Sequence, residues 1–150
     1  MADRPRLAAL ARHGAAEPGG EGADHDRALT EAGRRAAAAA GEWLAGVLLA
    51  PELVCCSSAV RAQQTWAQLA TALQPGEVRV ERDLYLAGPG DVVALVTGGP
   101  HRSVLVVGHN PTLEQAVVML TGGLRGLRAG AVAVIDLDAR RLHDLWEPAD

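Results

Sequence analysis

Arg12-His13-Gly14, Arg61 and His109 are the residues of this chain whose types and settings point to chemistry. A neutral imidazole is a good nucleophile near neutral pH, and a planar guanidinium grips the oxygens of a tetrahedral anion in pairs. Two histidines among two arginines therefore suit an oxyanion such as phosphate better than a metal cation, which the arginines would repel. The chain has no lysine, so fixed positive charge can come only from arginine.

The elements around these residues bring them to one place. Leu7-Ala8-Ala9-Leu10-Ala11 and Val104-Leu105-Val106-Val107-Gly108 are apolar without polar alternation, the pattern of strands buried on both faces of a parallel sheet. His13 and His109 follow where those strands run out. Leu53-Val54-Cys55-Cys56 reads as a third strand, with Ser57-Ser58 as its exit and as the N-cap of a helix running on through Thr65, Trp66 and Leu69. Arg61 falls in the first turn of that helix. In open α/β sheets ligands bind at the carboxyl ends of the strands, and helix N-termini there favour anions.

Arg12-His13-Gly14, the segment Ser57-Ser58-Ala59-Val60-Arg61-Ala62-Gln63-Gln64-Thr65 and Gly108-His109-Asn110-Pro111 together resemble the histidine phosphatase superfamily, in its short SixA-type phosphohistidine phosphatase branch. Arg27-Ala28-Leu29-Thr30-Glu31-Ala32-Gly33 is similar to the family's helix entry, so the likeness runs from about Leu7 to Thr121. The resemblance implies a phosphoglycerate-mutase-like fold and a metal-independent phosphatase working through a covalent phosphohistidine. His13 would be the nucleophile, Arg12, Arg61 and His109 would hold the phosphoryl oxygens, and Gly14 and Asn110 would bind substrate. No cofactor is implied. The implied substrate is a phosphohistidine-bearing protein; the alternatives are a small-molecule phosphomonoesterase and a non-catalytic phosphate- or phosphohistidine-binding module.

One departure from the superfamily bears on substrate. Larger members carry a general-acid glutamate after the third strand, and Leu86 stands at the matching place in Leu84-Tyr85-Leu86. Glu81, Asp83 and Asp91 are the nearby carboxylates that could substitute, although solvated loop charges are the more ordinary reading. Only about thirty residues separate the Arg61 helix from the fourth strand, which leaves no room for an inserted helical lid and implies a shallow pocket.

The remaining chain fits an α/β domain. At 150 residues, 49% of them apolar, the chain suits one domain over 1–150 with a real core. A net charge of −4 with dispersed arginines argues against nucleic acid. Absence of a signal-like N-terminus or a bilayer-length apolar run argues against a membrane and for a cytoplasmic protein. Residues 15–27 form a polar loop flanking the site, in which His25 could line the pocket, although a solvated loop residue is the more ordinary reading. Thr30 caps a helix carrying Trp43, Leu44, Val47 and Leu48 that Pro51 stops. Val78-Arg79-Val80 is an alternating strand, residues 91–97 a short helix, and Thr112-Leu113-Glu114-Gln115 a capping box. Residues 131–137 and 141–146 read as an antiparallel edge hairpin closing a mainly parallel, three-layer sheet domain. Cys55 and Cys56, adjacent on a strand, point to opposite faces and do not pair. No zinc, Walker, nucleophile-elbow or C-x5-R pattern is present.

Overall fold

The computed structural model describes residues 5–19, 22–123 and 126–149. Its strands are β1 (Leu7–Arg12), β2 (Leu53–Ser57), β3 (Glu77–Glu81), β4 (Ser103–Gly108), β5 (Val132–Asp136) and β6 (Arg141–Trp146). They form one sheet in the order β3-β2-β4-β1-β5-β6. The first four are parallel, while β5 runs antiparallel to β1 and β6 antiparallel to β5. This is the mixed sheet with a closing hairpin expected from the apolar runs and the change of pattern after residue 131.

Five α-helices and a 3-10 turn at Asp24–Asp26 complete the described architecture: α1 (Glu31–Ala45), α2 (Val60–Ala70), α3 (Arg82–Tyr85), α4 (Pro89–Thr97) and α5 (Thr112–Thr121). Alternate residues of the central strands divide between two cores. Ala8, Leu10, Cys55, Val104 and Val106 pack with Val92 and Val96 of α4 and Leu113 and Val117 of α5. Ala9, Ala11, Val54, Cys56, Leu105 and Val107 pack with Ala40 and Leu44 of α1 and Ala62 and Leu69 of α2. The sheet is thus covered on both faces, which is why β1, β2 and β4 are apolar at successive positions. Cys55 and Cys56 fall in opposite cores, unpaired, and burial pushes their thiols up to about 11 and about 12.

Several element ends differ from the sequence reading. Thr30 does cap α1, accepting from Gly33 N at 2.9 Å. The helix ends at Ala45, however, before Val47 and Leu48, because Gly46 interrupts it and a turn drops the buried Leu48 into the α1–α2 core. Ser58 does not cap α2. The N-cap is Ala59, whose N–H donates to Ser57 Oγ at 3.2 Å, while Ser58 Oγ lies 2.8 Å from His25 Nε2. The Thr112 capping box is also absent: the Thr112 hydroxyl donates to Ala87 O, and Asn110 Oδ1 accepts from Glu114 N. The Glu114 carboxylate accepts instead from Leu127 N. Helix α4 begins two residues early at Pro89, where Gly88 N donates to Asp91 Oδ2 at 2.9 Å. Of the polar loop over residues 15–27, Gly20 and Glu21 lie outside the described residues. Among the described residues no helix is long and apolar enough to cross a membrane.

Candidate active site

Strands β1 and β4 are neighbours in parallel register, with Arg12 opposite Gly108. The residues that follow therefore leave the sheet side by side. His13 N donates to Gly108 O at 3.0 Å, and the His13 and His109 rings lie 5.2 Å apart, tilted by 55°. Beside them, β2 delivers Ser57 and then the first turn of α2, whose Arg61 is 6% exposed.

A guanidinium this enclosed needs acceptors. Arg61 donates through Nη1 to Asp24 O at 2.8 Å, through Nη2 to Asp24 Oδ2 at 3.0 Å, and through Nε to His13 Nε2 at 3.3 Å. His13 Nδ1, 2.8 Å from Gly14 O, must carry the proton of that contact because a carbonyl can only accept. Both contacts agree on one tautomer, with the lone pair on Nε2.

Burial keeps that nitrogen unprotonated. It pushes His13 down from 6.5 to about 4; the Gly14 hydrogen bond opposes it, and the weaker fields of Arg61, Arg12 and Arg27 add to it. His109 is likewise pushed down to about 4, first by burial and then by His13 and Arg61. Both rings are neutral at pH 7.

Asp24 and Tyr85 belong to the site without having been singled out from the sequence. The Tyr85 hydroxyl donates to Asp24 Oδ2 at 2.8 Å, and Arg27 Nη1 donates to Asp24 Oδ1 at 3.0 Å. These donors and Arg61 hold the Asp24 carboxyl well below the usual carboxylate range. The Tyr85 ring stands edge-on to His109 at 5.5 Å and to His25 at 4.9 Å. Of the two readings of His25, the half-buried one that lines the site holds: its ring meets Tyr85 edge to face and its Nε2 lies 2.8 Å from Ser58 Oγ. The signals were the Asp24-His25-Asp26 cluster in a loop that must flank the site, and the lone tyrosine of the chain, beside Leu86.

The other expected residues take varied positions. Arg12 Nη1 donates to Leu127 O at 2.9 Å, and its Nε is enclosed without a partner. Gly14 lacks a Cβ for a packing reason: a Cβ there would stand 3.0 Å from Gly33 O on α1. Its N–H donates to Thr65 Oγ1 at 3.1 Å. Asn110 spends its amide on Leu127 O and Glu114 N, so it shapes the loop behind His109. Glu81, Asp83 and Asp91 line a separate open groove with Leu84, Leu86, Ala87 and Leu95. No group of three or more His, Cys, Asp or Glu side chains among the described residues is placed to hold a metal ion.

The neutral His13 Nε2 lies against the Arg61 guanidinium, in the field of Arg12 and with the His109 ring 5.2 Å from its own, a setting that suits an anion. Comparison with known proteins identifies the family. The family model for the histidine phosphatase superfamily, branch 1, matches residues 8–86. A chain assigned as phosphohistidine phosphatase SixA from Agrobacterium tumefaciens superposes with a TM-score of 0.87 at 28% identity, covering 97% of this chain and all (100%) of that one. The corresponding chain from Nakamurella multipartitia is 33% identical with a TM-score of 0.84, covering 99% of each. The protein histidine phosphatase SixA complexed with tungstate is 26% identical with a TM-score of 0.81, covering 95% of this chain and 97% of that one. Phosphoglycerate mutase from Plasmodium falciparum, at 12% identity and a TM-score of 0.64 over 89% of this chain and 87% of that one, shares the fold. An uncharacterised protein of Mycobacterium tuberculosis is 42% identical over 100 residues, 65% of this chain and 61% of its own length. The chain thus spans under two thirds of that curated relative. With the family match over more than half of its length and the SixA-like structures over nearly all of it, the chain belongs to branch 1 of the histidine phosphatase superfamily.

Proposed function

We propose that the chain is a metal-independent phosphatase that takes a phosphoryl group onto His13 and whose preferred substrate is a phosphohistidine-bearing protein. The observation that carries this reading is the state of His13: neutral, with Nδ1–H tied to Gly14 O and the Nε2 lone pair facing the Arg61 guanidinium. In the first step Nε2 forms a bond to phosphorus as the bond to the leaving imidazole breaks, and that imidazole takes up a proton from solvent. In the second, water attacks phosphorus and gives up a proton to solvent, the P–N bond to His13 breaks with its electron pair returning to Nε2, and inorganic phosphate departs. Arg12, Arg61 and His109 stabilise charge on the transferring oxygens, the largest contribution available when covalent assistance is small.

Two features support a P–N substrate. Leu86, at the place of the superfamily's acid, is 70% exposed and has no acidic proton to donate. Glu81, Asp83 and Asp91 line the neighbouring groove and make no hydrogen bond to His13 or His109. An imidazole leaves a phosphoryl group without the strong acid that an alkoxide demands. The test compares kcat/KM for a phosphohistidine protein and a phosphoserine peptide under one set of conditions. General acid catalysis contributes about 10²–10⁴-fold, so the phosphoserine peptide is expected to lag by at least about 10². Near-equal values would overturn the substrate assignment.

A further inference from the structure

Ser57 is fully buried at the end of β2, and its hydroxyl lies 2.7 Å from His109 Nε2. The same oxygen accepts from Ala59 N–H at 3.2 Å. Among the described residues these are its two hydrogen bonds, and His109 Nε2 is the one of the two partners that can accept the hydroxyl proton. The other ring nitrogen of His109, Nδ1, is enclosed and has no hydrogen-bond partner among the described residues.

Two arrangements of protons are open to this pair. If Nε2–H donated to Ser57, the buried hydroxyl proton would have no acceptor and Nδ1 would be left with an unpaired lone pair. If Ser57 donates to Nε2, the hydroxyl is satisfied and a single group is left over, the Nδ1–H. Enclosed polar groups without partners are costly, so one such group is preferred to two. The ring is neutral, burial and the neighbouring His13 and Arg61 having pushed it down to about 4, so only one nitrogen carries a proton. Which one is a real choice.

We propose that Ser57 is a positioning residue: it fixes His109 in the Nδ1–H tautomer, so that a neutral histidine offers a donor to the phosphoryl oxygen carried by His13. The opposite tautomer would turn a lone pair toward an anionic oxygen. Arg12 and Arg61 donate whatever their surroundings, since a guanidinium has no acceptor; His109 is the one member of the set whose usefulness depends on proton placement. The inference rests on the reading of His13 as phosphoryl acceptor, but the tautomer itself does not.

The experiment uses ¹⁵N-histidine-labelled protein, with His109 assigned by the loss of its signals in His109→Gln. Long-range ¹H–¹⁵N spectra of the free protein report the tautomer, and tungstate titration reports oxyanion binding. Wild-type protein is expected to show His109 protonated at Nδ1. In Ser57→Ala that preference is lost, and tungstate affinity and kcat fall about 10–100-fold, the range that removing the orienting partner of a metal-bound histidine gives, carried here to an anion-binding one. Ser57→Thr, which keeps the hydroxyl, restores both. A neutral His109 protonated at Nε2 in the wild type, an imidazolium in the tungstate complex, or a Ser57→Ala protein with unchanged tautomer and affinity would each overturn the proposal. A wild type that shows the Nδ1–H tautomer but binds no tungstate and turns over no substrate would support the role of Ser57 in setting the tautomer and count against the phosphatase reading alone.

Discussion

Replacing His13 and His109 together by glutamine should flatten the dependence of stability on pH. Both rings are held neutral, at about 4 against the ordinary 6.5. Between those values the unfolded chain binds more protons than the folded one, so stability rises with pH through the window and is lost as pH falls from about 6.5 towards 4. From pH 7 to 4.5 each ring taken alone would contribute about 2.4 kcal/mol. Both rings are partly open to solvent and lie 5.2 Å apart, so they share part of one field. Roughly half of the gross effect survives such screening, leaving about 2–3 kcal/mol for the pair. Urea titrations at pH 7.0 and 4.5 measure it: with a slope of about 1–3 kcal/mol per molar, the wild-type midpoint should fall by about 1–2 M more than that of the double variant. Equal falls in the two proteins would refute the claim that these histidines are neutral in the native state.

Asp24→Asn keeps the shape of the loop side chain but removes the charge that gathers Arg61, Arg27 and Tyr85. The carboxylate is 51% exposed, so stability should drop by only about 0.5–1 kcal/mol in a thermal melt, whereas kcat/KM should fall about tenfold as Arg61 loses its orientation. Unchanged kcat/KM would mean that Arg61 needs no such anchor. Gly33→Ala puts a Cβ 2.4 Å from Ala15 O, a backbone atom that cannot rotate away, and should cost about 1–3 kcal/mol in urea unfolding. Gly14→Ala, with its nearest contact at 3.0 Å, should cost less.

The parts of the fold that could be read from sequence are those where burial imposes a pattern. β1, β2 and β4 lie within the sheet with helices on both faces, so nearly every residue is apolar, and His13, Arg61 and His109 stand out because each follows such a run. Asp24 could not be identified this way. It sits in a half-exposed turn 37 positions before Arg61 and is drawn to it only once α2 is packed against the sheet. Tyr85 was hidden for a related reason: α3 is a single turn that buries Leu84 and leaves Tyr85 to reach Asp24, and four residues are too few for a helical period to show. Caps were misread where a hydroxyl had a stronger claim elsewhere. Ser58 is taken by His25 and Thr112 by Ala87 O, neither of which is a local neighbour in sequence. Gly14 invited a reading in terms of phosphate, yet its tight contact is with Gly33, which ends a different family-like segment, Arg27 to Gly33.

Covalent transfer to His13 is the central claim, and rapid-quench labelling tests it most directly. Wild-type protein is mixed with a ³²P-labelled phosphohistidine protein, quenched in alkali on the millisecond scale, and digested for peptide mapping. The expected result is acid-labile, alkali-stable label on the peptide carrying His13, rising and then decaying as inorganic phosphate appears, with none in His13→Gln. Turnover without label on His13, or with undiminished rate in His13→Gln, would contradict the account.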